Sequence, residues 1–207
     1  MTSRYVKQIL IVSILMGVAA CSSPDGVNKE ATQPAAGAAV APAAPTAGPF
    51  TKEVSYENIS FKVSSPGLTG GNKFTIVPSG LTESNDPFTI DIEGRVVDVL
   101  TDDMDGDNSP EVAVITQTGQ DKRNKAHLFT TFAGKSLGMV NFQDVINENL
   151  LAGYQGGDEY NFVENTFIRR FPLYENGQKT GKTRQFQFKM KRGEAMKQLV
   201  LDRNIDY

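Results

Sequence analysis

From Phe50 onward, apolar side chains recur at every second residue: Ile59, Phe61 and Val63; Phe74 and Ile76; Phe88, Ile90 and Ile92; Val112 and Val114; Phe186, Phe188 and Met190. A period of two sends one face of an extended chain into a core and the other into water, so these segments are half-buried strands. Turn chemistry separates them, as in Pro66-Gly67, Glu93-Gly94, Asn176-Gly177 and Arg192-Gly193, pairs that fix φ or tolerate a left-handed backbone. Only residues 141–151, with Phe142, Val145, Ile146 and Leu150, offer a helical spacing, which reads as one short helix or an irregular loop. The pattern predicts an all-β fold, an antiparallel β-sandwich or barrel of about eight strands with at most one short helix. Residues 50–207 form one domain, long enough to bury a core without disulfides.

The chain ahead of that domain has a different character. Residues 1–8 carry Arg4 and Lys7 and no acid, and 9–20 form a nearly unbroken apolar run ending in small residues, the order of a secretory signal. The run falls short of the roughly 20 apolar residues that a membrane-spanning helix needs. It closes on Val18-Ala19-Ala20-Cys21, which resembles the bacterial lipoprotein box. The resemblance implies a lipoprotein signal peptide over 1–20 and a lipid-modified Cys21 as first residue of the mature chain; the alternative is an ordinary cleaved signal followed by a chance Cys. Ser22 rather than Asp follows Cys21, which in the proteins it resembles directs sorting to the outer membrane, lipid-anchored and facing the periplasm or the cell surface. Residues 31–49 hold nine Ala, four Pro and two Gly and no charge, too little bulk for a core, so 21–49 is the lipidated Cys plus an Ala/Pro-rich tether.

Composition narrows the chemistry. One Cys makes no internal disulfide and one His makes no multi-histidine metal site, which leaves only oxygen ligands for a metal. The formal charge of −3 provides no bulk positive field, so a nucleic-acid partner is not expected. The charge is uneven, however: residues 80–115 hold ten acids and one base, while 160–207 hold ten bases and five acids. Either the domain has opposed electrostatic faces, or acidic and basic strands pair with one another.

Three short motifs deserve weighing as chemistry. In Asp103-Met104-Asp105-Gly106-Asp107-Asn108-Ser109-Pro110-Glu111, carboxylates alternate along a tight loop, and Asp103, Asp105, Asp107 and Glu111 are candidate calcium ligands. No Glu stands at the twelfth position, where Val114 lies in a strand, so the loop is no EF-hand; the alternative is an acidic turn whose side chains bond their own backbone. Gly134-Lys135-Ser136-Leu137-Gly138 matches the nucleophile-elbow spacing, but the sole histidine, His127, lies upstream and no triad of that order assembles. Residues 177–183, from Gly177 to Thr183, look like a phosphate loop one residue short, yet they run into a strand rather than a helix and so lack the amides that hold an anion. The sequence offers no positive argument for an enzyme.

Beyond these motifs, the domain resembles a known family over most of its length. Ile59-Ser60-Phe61-Lys62-Val63, Ile76-Val77-Pro78-Ser79-Gly80-Leu81 and the acidic stretch 103–111 follow the order found in the periplasmic inhibitors of invertebrate-type lysozyme. So do Gly153-Tyr154-Gln155-Gly156-Gly157-Asp158-Glu159-Tyr160, Ile168-Arg169-Arg170-Phe171-Pro172-Leu173-Tyr174, Thr183-Arg184-Gln185-Phe186-Gln187-Phe188 and Gly193-Glu194-Ala195. The resemblance implies a β-rich lysozyme inhibitor that protects the bacterial cell wall by inserting a loop into the lysozyme cleft. The alternative is a non-inhibitory envelope binding module on the same fold, with or without calcium. The family's inhibitory turn, of the form S-G-x-Y, falls at residues 118–125, where Gly119 has a counterpart but the Ser and Tyr do not, and the Trp after G-E-A-G is absent. The loop should project as a hairpin tip, and Thr118, Gly119, Lys122, Arg123, Asn124 and Lys125 are the expected lysozyme contacts, with Tyr154 to Asp158 the next segment to test. A second copy of the chain, in a homodimer, is a further partner to consider.

Overall fold

The computed structural model describes residues 48–207 apart from 69, 70, 120, 121, 144, 146 and 194. The signal, Cys21 and nearly all of the tether lie outside the described residues.

Among the described residues, thirteen strands build three sheets. β1 (Phe50–Tyr56), β2 (Ile59–Ser65), β3 (Asn72–Ser79) and β4 (Phe88–Ile92) form an antiparallel meander in that order. β5 (Arg95–Asp102), β6 (Glu111–Thr118), β7 (Arg123–Thr131) and β8 (Leu137–Met139) form a second. The third sheet takes β9 (Asn141–Phe142), β10 (Glu159–Val163), β11 (Thr166–Glu175), β12 (Gln178–Arg192) and β13 (Lys197–Asp206) in the order β10-β11-β12-β13-β9, with only the β13–β9 pair parallel.

The layering follows from which side chains are apolar. β2 and β3 bury alternate residues, as a sheet with one wet face must. β6, in contrast, buries six consecutive residues, Glu111 to Ile115 and then Thr116. Val112 and Val114 pack with Phe61, Val63, Phe74 and Ile76 of the first sheet, while Ala113 and Ile115 pack with Phe167, Phe171, Phe186 and Phe188 of the third. The second sheet is therefore the middle layer, with a core on each face. β5 serves both cores through a register shift between Val96 and Asp98, which lets Val96 and Val99 face one core and Val97 and Leu100 the other.

The all-β class, the antiparallel pairing and the face-to-face packing of sheets match the expectation, but the strand count does not, thirteen standing where about eight were expected. Strands as short as β8 and β9 are too brief to alternate visibly, and the polar halves of β12 and β13 carry no apolar period. Among the described residues there is no α-helix, only a 3₁₀ turn at Phe132–Gly134. The helical spacing after Asn141 belongs to β9 and an irregular segment, where the Leu151 amide closes a single turn onto Asn147 at 3.0 Å. Phe142, Val145 and Leu150 cover the core under the third sheet without being helical.

Candidate functional site

The hairpin between β6 and β7 holds its register up to Thr118 opposite Arg123, and Lys122 lies in the left-handed region at φ 53. Lys122, Arg123 and Lys125 are exposed at its end. The tip is not a loose loop. The Gly157 and Asp158 amides donate to the Lys122 carbonyl at 3.0 and 3.3 Å. Asn124 donates its amide to Asp158 Oδ2 at 3.0 Å and its Nδ2 to the Asp158 carbonyl at 2.6 Å. Tyr160 donates its hydroxyl to the Asn124 carbonyl at 3.2 Å.

Asp158 is the centre of this joint. Its carboxylate is fully buried and receives Arg169 Nε at 2.8 Å and the Tyr154 hydroxyl at 2.5 Å besides the Asn124 amide. A buried ion pair persists only when further hydrogen bonds satisfy its remaining atoms, as they do here. Arg169 lies 5.0 Å from the Tyr154 ring centre and 5.3 Å from that of Phe171, and Arg123 lies 5.3 Å from the Tyr154 ring on the tip side. Tyr154 is thereby held between two guanidinium groups, and burial together with Asp158 raises its hydroxyl above the usual tyrosine range. Of the expected contact residues, Lys122, Arg123, Asn124 and Tyr154 come together. Thr118 bonds across the hairpin to the Arg123 carbonyl at 3.5 Å, and Lys125 faces the solvent on β7.

The acidic loop between β5 and β6 is a second cluster. Asp103 accepts the amides of Gly106, Asp107 and Asn108 at 2.9 to 3.1 Å, and Asp107 accepts that of Ser109 at 2.9 Å, which is how short acidic side chains stabilise a turn. One oxygen each from Asp103, Asp105 and Glu111 lie within 4.8 Å of one another. The cation beside them belongs to the chain: Lys197 Nζ, at the start of β13, is 2.9 Å from Asp105, 2.9 Å from Asp107 and 3.4 Å from Glu111. Glu111 is fully buried, and burial pushes it up to about 7 against the bonds from Thr130, Lys197 and the Met104 amide. Burial pulls Lys197 down, but the bonds to Asp107 and Asp105 outweigh it and hold the ammonium above the ordinary lysine range.

His127 is a strand residue on β7, with Nε2 3.2 Å from Thr116 Oγ1 and its ring edge-on to Phe74 at 5.5 Å. Burial, with Lys125 adding to it, lowers it to about 4. Ser136 lies beyond the 3₁₀ turn, and Gly177 to Thr183 are the Asn176-Gly177 hairpin and the start of β12. Asp158 closes the segment from Tyr154 expected as the next contact, whereas Arg169 and Lys197 were not expected at a site. Asp158 and Arg169 lie eleven residues apart on segments that only the third sheet brings together, and Lys197 is one basic residue among many. A Gly-Gly pair directly before an acid was the one local signal.

No protein-family model matches this chain, and no curated protein or solved structure compared with it is similar to it.

Proposed function

We propose that this protein is an envelope lipoprotein that inhibits a lysozyme through the β6–β7 tip, protecting the bacterial cell wall. The observation that carries the reading is the anchoring of that tip. Asp158 and the Gly157 amide fix the backbone from the Lys122 carbonyl to Asn124, so the exposed cations at Lys122 and Arg123 stand on a preorganised support. Preorganisation matters because ordering a loop on binding subtracts from affinity. A lysozyme cleft works with two carboxylates, one of them a general acid. Lys122, Arg123 and Lys125 carry donors suited to them, and charge-assisted bonds in a desolvated cleft are roughly twice as strong as neutral ones. The sequence features of the N-terminus support an outer-membrane lipid anchor at Cys21 for the same protein.

The test is lysis of cell walls by invertebrate-type, chicken-type and goose-type lysozymes with and without the purified protein. Slowed lysis by at least one class, lost when Lys122, Arg123 and Lys125 are all replaced by Ala, supports the reading. Unchanged lysis by all three assigns the protein to a non-inhibitory envelope module instead.

A further inference from the structure

Beside the tip, the outer face of the third sheet and the loop at 155–157 enclose an open cleft of about 780 Å³, within the range of small-ligand sites. Its floor crosses three neighbouring strands. Arg170 and Tyr174 share one face of β11 because they stand an even number of residues apart. Lys179 of β12 lies opposite Tyr174. Tyr207 extends the floor past β13, exchanging both backbone hydrogen bonds with Thr183 at 2.8 and 3.1 Å. The wall is bare backbone at Gly157, where a Cβ would come within 3.2 Å of the Pro172 ring.

The charges in the cleft do not cancel. Arg170 is held by Glu159 at 2.7 Å, and the Asp158 carboxylate turns inward to Arg169. Lys122 on the wall and Lys179 on the floor have no ion-pair partner among the described residues. Tyr207 is 61% exposed and follows β13, which lies two strands across from the β11 strand of Tyr174, a backbone separation of roughly 10 Å and more than the length of a single sugar ring. Flat rings with polar rims suit ligands that are apolar on their faces and hydroxylated at their edges, and ammonium groups pair with carboxylates. Besides glycine and tyrosine, the only apolar side chains among the described lining residues are Phe171, which is buried, and Pro172, which offers little of the apolar anchoring that peptide side chains use.

We infer that this cleft binds a short carboxylate-bearing oligosaccharide, its sugar faces on Tyr174 and Tyr207 and its carboxylate between Lys122 and Lys179. The inference does not rest on lysozyme inhibition, since Tyr174 and Lys179 lie off the tip. Calorimetric titration of the full-length chain in detergent separates the terms. The probes are a tetrasaccharide of alternating N-acetylglucosamine and N-acetylmuramic acid, tetragalacturonate, uncharged chitotetraose and tetraglutamate.

At least one acidic saccharide binds, and which one identifies a cell-wall or a uronate source. Chitotetraose binds about tenfold more weakly, the scale of one lost charge-assisted contact. Lys179→Ala costs about tenfold for the acidic saccharide and leaves chitotetraose unchanged, while Tyr174→Ala weakens both and neither variant alters lysozyme inhibition. Absence of saccharide binding at millimolar concentration, equally tight binding of tetraglutamate, or indifference to Tyr174→Ala overturns the assignment.

Discussion

Asp158 receives Arg169, Tyr154 and the Asn124 amide on a carboxylate with no solvent exposure, so every bond lost there leaves a buried group without its partner. Asp158→Ala strands the Arg169 guanidinium, and breaking a buried pair in this way costs about 3 to 5 kcal/mol. Urea unfolding should show that loss, whereas a change below about 1 kcal/mol, the size of an exposed pair, would mean that water reaches the joint. His127 makes a different prediction. Its value of about 4 in the fold lies below the ordinary histidine value of 6.5, so the unfolded chain takes up the proton first. His127 stability is thus fully present above pH 6.5 and is lost as pH falls toward 4, by at most about 3 kcal/mol. In His127→Leu, the melting temperature should fall less steeply than in the native chain between those pH values. Parallel curves would show that His127 is already solvated.

Turns decide where strands end, and two glycines with nearly the same backbone separate conformation from contact. Gly177, at φ +77 in the β11–β12 hairpin, has nothing within 4 Å of the place a Cβ would take, so Gly177→Ala meets only left-handed strain of about 1 to 2 kcal/mol. Gly94, at φ +79 between β4 and β5, puts a Cβ 2.0 Å from the Gln117 carbonyl oxygen. Gly94→Ala adds a steric clash with the end of β6, and overpacking of this kind costs a further 1 to 3 kcal/mol or so. Denaturant midpoints of the two variants should differ in that order; equal midpoints would show that the Gln117 backbone yields freely. At the β6–β7 hairpin the support comes from a distant segment, since residues 157 and 158 bond the Lys122 carbonyl and Asn124.

The three sheets are tied by more than their cores. Lys197 reaches from β13 of the third sheet to Asp105, Asp107 and Glu111 at the loop of the second, which turns the excess acid of one segment and the excess base of the other into a clasp. Within the third sheet, Arg170–Glu159, Arg184–Asp206 and Lys189–Asp202 pair across strands, so the basic segment is partly neutralised by its own acids. Calcium would compete with a tethered ammonium for the same oxygens. The melting temperature should therefore stay the same from chelator to millimolar calcium, since only a ligand that binds the native state shifts it. A rise with calcium would show that the ion displaces Lys197.

The sequence alone determined the strand class, the antiparallel pairing and the hairpin that carries Lys122, Arg123 and Lys125, because period two and turn chemistry act between neighbours along the chain. For the loop of Asp103 and Asp107 it left two readings, calcium ligands or a turn, and the turn forms because those side chains bond amides only two to five residues away. The tertiary structure decided the rest. Six buried residues in a row on β6 look the same in sequence whether the second core lies above them or not, so the middle layer had to be seen. Asp158 beneath the tip and Lys197 inside the acidic loop are single charged residues whose partners lie up to 92 positions away. No local period encodes a contact of that separation; packing three sheets in one order brings those atoms together.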